Sequence, residues 1–412
     1  MLKRKVKPFT FFLIFISLLF LTLFPKLLQE KLKEKPDDDP FAMEMPKWSG
    51  IIKIWDVQYV QTGKGNHVQW LNSYISRFEK KYPGVFIDIR TMTHERLAMY
   101  FHGGQNPDIL PDIISLGTYE QLIPDNLLTD LYPYFRSNEL ENIREPALQR
   151  VMNDERMNGV PWMMGCYGIF VNMDALTATD LELIPEDIDS AGLDALVKKL
   201  SYQKKSGRKT VNHYGFVTYF NSYSRPLLSM IYRQDGRIKD NRGLQLFQSW
   251  VNEQGILPPD MITMSYSQAF NMLTGNRAGI MLGNSRVLFD LRKLQETGKN
   301  VTYKMYTLPL DEDAGLYQDQ IAAYGLMKQD NTEKEQLCIL FLKGLLGYET
   351  QSKLNELGMF SVIKDIQLYE DDAEMGLLES SLDKVTSTPF SNDNRDAEEL
   401  WELIISQMDN KR

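Results

Sequence analysis

Between residues 51 and 116, short β-branched runs alternate with helix-patterned segments, and that alternation limits the folds open to the chain. Ile51-Ile52-Lys53-Ile54-Trp55 reads as a strand. Residues 68–82 carry Val68, Leu71, Ile75 and Phe78 at helical spacing, and Pro83-Gly84 stops the helix. Val85-Phe86-Ile87-Asp88-Ile89 is a second strand, residues 97–101 a short helical piece, and Pro111-Asp112-Ile113-Ile114-Ser115-Leu116 a third strand. This order predicts an α/β fold with a parallel sheet covered by helices on both faces. Ligands at such sheets sit outside the carboxyl ends of the strands. Here those ends are Trp55-Asp56-Val57-Gln58, Arg90-Thr91-Met92 and Gly117-Thr118-Tyr119-Glu120.

The rest of the chain continues in the same style. Asn158-Gly159-Val160-Pro161 reads as a turn before a strand at 166–172. Further strands are expected at 214–219, 278–282, 303–308 and 321–327. Helices are expected at 192–203, 244–252, 267–273, 286–297, 333–346, 349–357 and 400–408. Trp250, Trp401 and the Met163-Met164 pair read as packing residues. No internal repeat appears at solenoid periods.

The N-terminus sets the compartment. Lys3, Arg4, Lys5 and Lys7 precede an uncharged run from 9 to 24 rich in Phe, Leu and Ile. Positive charge before an apolar run holds the N-terminus in the cytoplasm and sends the rest across the membrane. No small-residue cleavage site follows, and a bacterial lipoprotein would need a cysteine there; the cysteines are Cys166 and Cys338. The reading is an uncleaved anchor at 1–28, a charged tether at 29–49 and a body on the outer face of the membrane, or a secreted body if the segment is cleaved. A net charge of −9 argues against a nucleic-acid partner, which needs a basic face. Two cysteines in 412 residues make no disulfide scaffold, and two buried free thiols are preferred over one Cys166–Cys338 bridge. Four histidines without paired spacing give no metal site, and nothing calls for a cofactor. Gly63-Lys64-Gly65-Asn66 lacks the spacing of a phosphate loop and reads as a turn.

Several pieces in order resemble the extracellular solute-binding proteins of ABC importers, in particular the large carbohydrate-binding family. They are the Ile-Lys-Ile-Trp strand, Arg77-Phe78-Glu79-Lys80-Lys81-Tyr82-Pro83-Gly84-Val85, Asn106-Pro107-Asp108 with Pro111-Asp112-Ile113, and Leu127-Leu128-Thr129-Asp130-Leu131. Next come Gly159-Val160-Pro161 and Phe170-Val171-Asn172-Met173-Asp174-Ala175-Leu176. Leu273-Thr274-Gly275-Asn276-Arg277-Ala278-Gly279-Ile280-Met281 and Tyr306-Thr307-Leu308-Pro309-Leu310 complete the set. The chain departs from the family pattern at the absent lipobox cysteine, at Leu193 or Leu196 where a Trp is common, at Ser361 where a Pro is usual, and at Tyr324-Gly325 where a Gly pair is common.

The resemblance implies a two-lobe periplasmic-binding-protein-like fold, each lobe a mainly parallel sheet flanked by helices. Lobe one would hold 50–163 and 277–323, and lobe two 164–276 and 324–412, with crossings near Trp162-Met163, Gly275-Asn276 and Ile321-Ala322. A solute would bind between the lobes and close them by a hinge. The implied protein is a monomer that takes a sugar or oligosaccharide and passes it to ABC permease subunits, with no catalysis. Sugar recognition needs aromatic faces for C–H surfaces and polar partners for every buried hydroxyl. Strand ends and crossings therefore nominate Trp55, Asp56, Gln58, Tyr119, Glu120, Trp162, Tyr167, Tyr219, Asn221, Asn284, Ser285 and Tyr324, with Tyr223 nearby. Trp162 is expected to be exposed toward the cleft. Two alternatives share the fold: an anchored sensor that presents ligand occupancy to a membrane receptor, and a receptor for another polar solute such as a polyamine. An enzyme is disfavoured, since no Gly-x-Ser-x-Gly, His-Glu-x-x-His or Ser/His/Asp set is present.

Overall fold

In the computed structural model the described residues are 46–57, 61–62, 65–102, 109–116, 123–176, 184–206, 209–220, 225–231, 241–308, 310–311, 316–318, 320–384, 386–387 and 395–409. The apolar run at 9–24 lies outside them. Among the described residues, no helix is long and apolar enough to cross a membrane.

Strands of three or more residues are β1 (Gly50–Val57), β2 (Val85–Met92), β3 (Ile113–Ser115), β4 (Val160–Met164), β5 (Tyr167–Asn172), β6 (Tyr202–Ser206), β7 (Lys209–Val217), β8 (Ala278–Asn284), β9 (Tyr303–Thr307) and β10 (Ile321–Leu326). Helices of six or more residues are α1 (His67–Lys81), α2 (His94–His102), α3 (Glu145–Val151), α4 (Ser190–Lys199), α5 (Pro226–Ile231), α6 (Arg242–Asn252), α7 (Tyr266–Thr274), α8 (Ser285–Glu296), α9 (Thr332–Gly344), α10 (Ala373–Ser380) and α11 (Arg395–Asp409).

The strands form two five-stranded sheets, ordered β2-β1-β3-β10-β4 and β6-β7-β8-β5-β9. In the first, β1 pairs parallel with β2 and β3, while β10 pairs antiparallel with β3 and β4. In the second, only β7 and β8 are parallel; β6–β7, β5–β8 and β5–β9 are antiparallel. The expectation of mainly parallel sheets is corrected to two mixed sheets. The cause is connectivity. Strand β4 carries the chain out of sheet one and β10 brings it back, so the two run in opposite directions; β5 enters sheet two and β9 leaves it. A 202–217 hairpin, absent from the sequence reading, adds a further antiparallel pair.

Sheet membership also corrects the expected division of the chain. Strands β8 and β9, assigned from sequence to lobe one, pair with β5 in sheet two. Residues 321–363 belong with sheet one: β10 pairs there, α9 packs on it, and Ile363 bridges Ile143. The C-terminal segment then passes back and forth. Helix α10 packs on α8 and β9, Arg144 pairs with Asp383 at 2.6 Å, and α11 packs on α5 and α6. The proposed crossing at Gly275-Asn276 is instead the cap of α7. Gly275 N–H donates to Asn271, and Asn276 adopts a left-handed φ of 53° to turn into β8.

Local chemistry explains the elements. Helix α1 buries Trp70, Leu71, Tyr74, Ile75 and Phe78 on one face and ends in Lys80 and Lys81, which suit the negative end of a helix. Gly84, at φ 93°, turns the chain into β2. Strands β5 and β8 are buried along their whole length because sheet two is covered on both faces. Its core gathers Phe216, Leu227, Phe247, Trp250 and Ile280 among others, and the partly buried Trp401 packs against it.

Candidate functional site

Besides the C-terminal segment, the chain passes from β4 to β5 and from β9 back to β10, and these two passages touch. Residues 165–166 connect β4 to β5, and residues 316–318 and 320 lie on the return from β9 to β10. Gly165 N–H donates to the Gln320 carbonyl at 2.8 Å, and the Gln318 side-chain amide donates to the Gly165 carbonyl. Thr386 runs beside Leu316 and Gln318, donating to one at 2.7 Å and accepting from the other at 2.8 Å. Met164 exchanges backbone hydrogen bonds with Phe360 at 3.2 and 2.8 Å, and Ser285 N–H donates to Cys166 at 2.7 Å. The crossings expected near Trp162-Met163 and Ile321-Ala322 lie within a few residues of these positions.

On the sheet-one side, Asp56, the last residue but one of β1, is fully buried. One carboxylate oxygen lies 2.7 Å from His67 Nε2, and the other accepts the Tyr324 hydroxyl at 2.7 Å. The Tyr324 ring stacks on Trp162, with centroids 5.7 Å apart and planes at 11°; Trp162 stacks in turn on Trp70 at 5.2 Å and 20°. Strands β1, β4 and β10 and the first turn of α1 thus bring one carboxylate, one imidazole and three large rings into one cluster. Trp55 lies against Tyr100 at 4.7 Å. The expectation of an exposed Trp162 is corrected: the indole is 0% exposed, because it is held between Trp70 and Tyr324.

On the sheet-two side, Tyr167 pairs with Asn284 across β5 and β8. Asn284 accepts from Arg286 N–H at 3.2 Å and caps α8, while the Ser285 hydroxyl donates to the Gly358 carbonyl at 3.0 Å. Tyr219 meets Tyr266 edge to face at 5.3 Å. Tyr266 donates to Asp290 at 2.9 Å, and Arg286 pairs with the same carboxylate at 3.0 Å. Burial, reinforced by Asp290, holds the Tyr266 phenol well above its ordinary range, so it stays a donor.

The structure therefore gathers Asp56, Trp162 and Tyr324 on one side and Tyr167, Tyr219, Asn284 and Ser285 on the other. All seven are buried, as is Trp55. Gln58, Tyr119, Glu120, Asn221 and Tyr223 lie outside the described residues. Sequence reasoning missed His67 and Trp70, though their i, i+3 spacing at the start of a helix just after β1 was a usable signal. It also missed Gln351, whose amide donates to the carbonyls of Trp162 and Leu345, both at 2.8 Å. The Gln351 oxygen accepts from the Ser361 hydroxyl at 2.8 Å and from Val362 N–H at 3.1 Å. Ser361, one of the departures from the family pattern, is thus part of a buried polar hub beneath Trp162. Cys166 and Cys338 are both buried and free, and burial pushes the Cys166 thiol up to about 11. Among the described residues no group of three potential ligands is placed to hold a metal.

No protein-family model and no curated protein sequence matches the chain. Solved structures do. A maltose/maltodextrin-binding domain, MalE, from Bdellovibrio bacteriovorus bound to maltotriose superposes with a TM-score of 0.61 at 17% identity, covering 88% of this chain and 98% of that one. The sugar-binding protein MalE from Xanthomonas citri gives 0.63 at 15% identity, over 88% of this chain and 92% of that one. An ABC substrate-binding protein from Listeria monocytogenes in complex with cycloalternan gives 0.61 at 14%, over 88% and 98%. The fold is that of the two-lobe, periplasmic-binding-protein-like structures, the group that the order of sequence pieces resembles.

Proposed function

We propose that this protein is a non-enzymatic solute receptor that binds a sugar or oligosaccharide between its two lobes and delivers it to an ABC permease. The observation that carries this reading is the pair of polar–aromatic clusters at the ends of two sheets joined by touching crossing segments. Asp56, Trp162 and Tyr324 back the cleft from one side; Tyr167, Tyr219, Asn284 and Ser285 back it from the other. Gln58, Tyr119, Glu120 and Asn221, which follow strand segments in the sequence, are the proposed solute-facing residues, and the buried Trp55 backs them. A cleft backed by fixed rings and satisfied polar groups loses little on binding, because its geometry is already set. The short crossings are the hinge, and closure about them is the shape the permease reads. The N-terminal apolar segment holds the body at the outer face of the membrane. Support for the saccharide class comes from two of the neighbouring structures, which hold maltotriose and cycloalternan.

The test is a thermal shift of the full chain in detergent against neutral oligosaccharides and polyamines. A solute at about 100 times its dissociation constant adds ~2.7 kcal/mol to stability. A selective rise with one saccharide class is the expected result. A rise with polyamines alone would replace the sugar reading with a cationic one.

A further inference from the structure

We propose that strand β2 is an interface, and that its occupant is the β2 of a second copy of this chain, paired antiparallel about Ile89. Sheet one begins with β2, and among the described residues no strand pairs with its outer side. An open edge is a ready template for another strand, and soluble proteins blunt their edges with proline, lysine or a covering element. The other sheet edges here are blunted in those ways. Strand β4 is buried throughout and contains Pro161, β6 carries Lys204 and Lys205, and β9 carries Lys304 and is packed by α10. Strand β2 is eight residues long and has neither proline nor lysine. Phe86, near its start, is 59% exposed, and Ile51, its neighbour across the ladder, is 53% exposed.

The hydrogen-bonding groups along the edge decide which pairings are open. In a parallel ladder alternate residues bond the neighbouring strand, and the residues between them point away. Ile87 N–H donates to the Glu79 side chain at 2.9 Å rather than into the ladder, so the odd-numbered residues are the ones that point outward. In an antiparallel pair of identical strands, odd residues then face odd residues. Pairing about Asp88 sets that carboxylate against its own copy, and pairing about Arg90 does the same to the guanidinium. Pairing about Ile87 leaves both without an opposite charge. Pairing about Ile89 sets Asp88 against the second copy's Arg90, Arg90 against the second copy's Asp88, and Phe86 against the second copy's Met92. Opposite charges facing across strands stabilise a pair, and like charges destabilise it. Asp88 and Arg90 already share one face, 3.3 Å apart, and both side chains are exposed, so the joint closes a ring of alternating charge. Ile89 and Thr91 supply the backbone groups, and Glu79 swings off Ile87 as the strands meet. The carboxyl ends of β1 then face opposite ways in the two copies, and pairing does not depend on what the cleft binds. This replaces the monomer that the family resemblance implies.

The test is sedimentation of the full chain in density-matched detergent, up to about 200 µM, a range that reaches weak interfaces. A concentration-dependent dimer is the expected result. Asp88→Arg, which sets arginine against arginine, weakens it about tenfold, and the swap Asp88→Arg with Arg90→Asp restores it. Both positions are exposed, so an unchanged melting temperature confirms that the variants are folded. Register is read by cross-linking. Ile89→Cys, with Cα atoms about 5.5 Å apart across the joint, forms a covalent dimer under mild oxidation. Phe86→Cys, which faces the second copy's Met92, forms none, and the buried Cys166 and Cys338 do not compete. A chain that stays single at every concentration overturns the proposal. So does a dimer that Asp88→Arg leaves intact, one that the swap fails to restore, or one that links through Phe86→Cys and not through Ile89→Cys.

Discussion

Tyr324→Phe isolates one hydrogen bond in the lobe-one cluster. The Tyr324 hydroxyl donates to Asp56 at 2.7 Å, and both residues are fully buried. Removing the hydroxyl leaves that carboxylate oxygen without its donor, with no route to water. The phenyl ring remains, so the stack on Trp162 persists and no cavity opens. The loss is therefore that of a buried hydrogen bond to a carboxylate, about 1.5–3 kcal/mol. Equilibrium urea unfolding followed by tryptophan fluorescence measures it, since Trp70 and Trp162 sit in the same stack and report on this lobe. A two-lobe protein need not unfold in one step, so the early and late transitions are fitted separately. The loss is expected in the transition that reports on the stack. A double-mutant cycle with His67→Gln should give a coupling of about 0.5–3 kcal/mol, because both groups act on the same carboxylate. A loss under about 0.5 kcal/mol, the size of an ordinary surface change, would refute the buried hub and show that water reaches Asp56.

Gln351→Leu removes four buried hydrogen bonds at once and should cost at least about 3 kcal/mol in the same urea experiment; a near-neutral result would mean that the orphaned groups re-pair. Gly165→Ala places a Cβ 2.4 Å from the Gln320 side-chain oxygen and 2.9 Å from the Met359 methyl, so these two side-chain ends must move aside. The expected cost is below about 1 kcal/mol in the same urea experiment, and a larger loss would mean that Gln320 is held too tightly to move aside. Native protein at pH 8 should not react with a thiol reagent within an hour, because a thiol at about 11 is thiolate to only about one part in a thousand. Two equivalents should react in denaturant, and prompt reaction of the native protein would refute the burial of Cys166 or Cys338.

The elements were legible wherever burial was one-sided or periodicity was long. The spacing of Val68, Leu71, Ile75 and Phe78 gives α1, and the β1–α1–β2–α2–β3 opening is as the pattern indicates. Strand β4 was not legible, since Val160-Pro161-Trp162-Met163-Met164 is buried throughout and contains a proline, so neither alternation nor propensity marks it. The 202–206 strand was hidden for the opposite reason. Tyr-Gln-Lys-Lys-Ser is an exposed edge whose lysines discourage further pairing, and its composition resembles a helix end. The division of the chain failed for a non-local reason: nothing within residues 278–307 says that β8 and β9 pair with β5 rather than return to sheet one.

The candidate residues raise a harder ambiguity. Asn284 and Ser285 were nominated because a polar pair follows a strand at a sheet's carboxyl end, which is where ligands bind. The same position starts α8, and Asn284 spends its side-chain oxygen on Arg286 N–H while Ser285 spends its hydroxyl on Gly358. In an α/β fold the helix after a strand begins at the strand's carboxyl end, so caps and ligand groups compete for one set of positions and one set of residue types. Asp56 presents the same case, with both oxygens already engaged by His67 and Tyr324. What separates a cap or a buried hub from a contact is whether its hydrogen-bonding capacity is already filled. That depends on partners such as Gly358 and Tyr324, 73 and 268 residues away in sequence, which no local pattern contains. On the proposed reading, substituting Gln58, Glu120 or Asn221 alters affinity with less effect on stability than any change at Asp56, Trp162 or Tyr324, and the reverse pattern in paired binding and unfolding measurements would refute it.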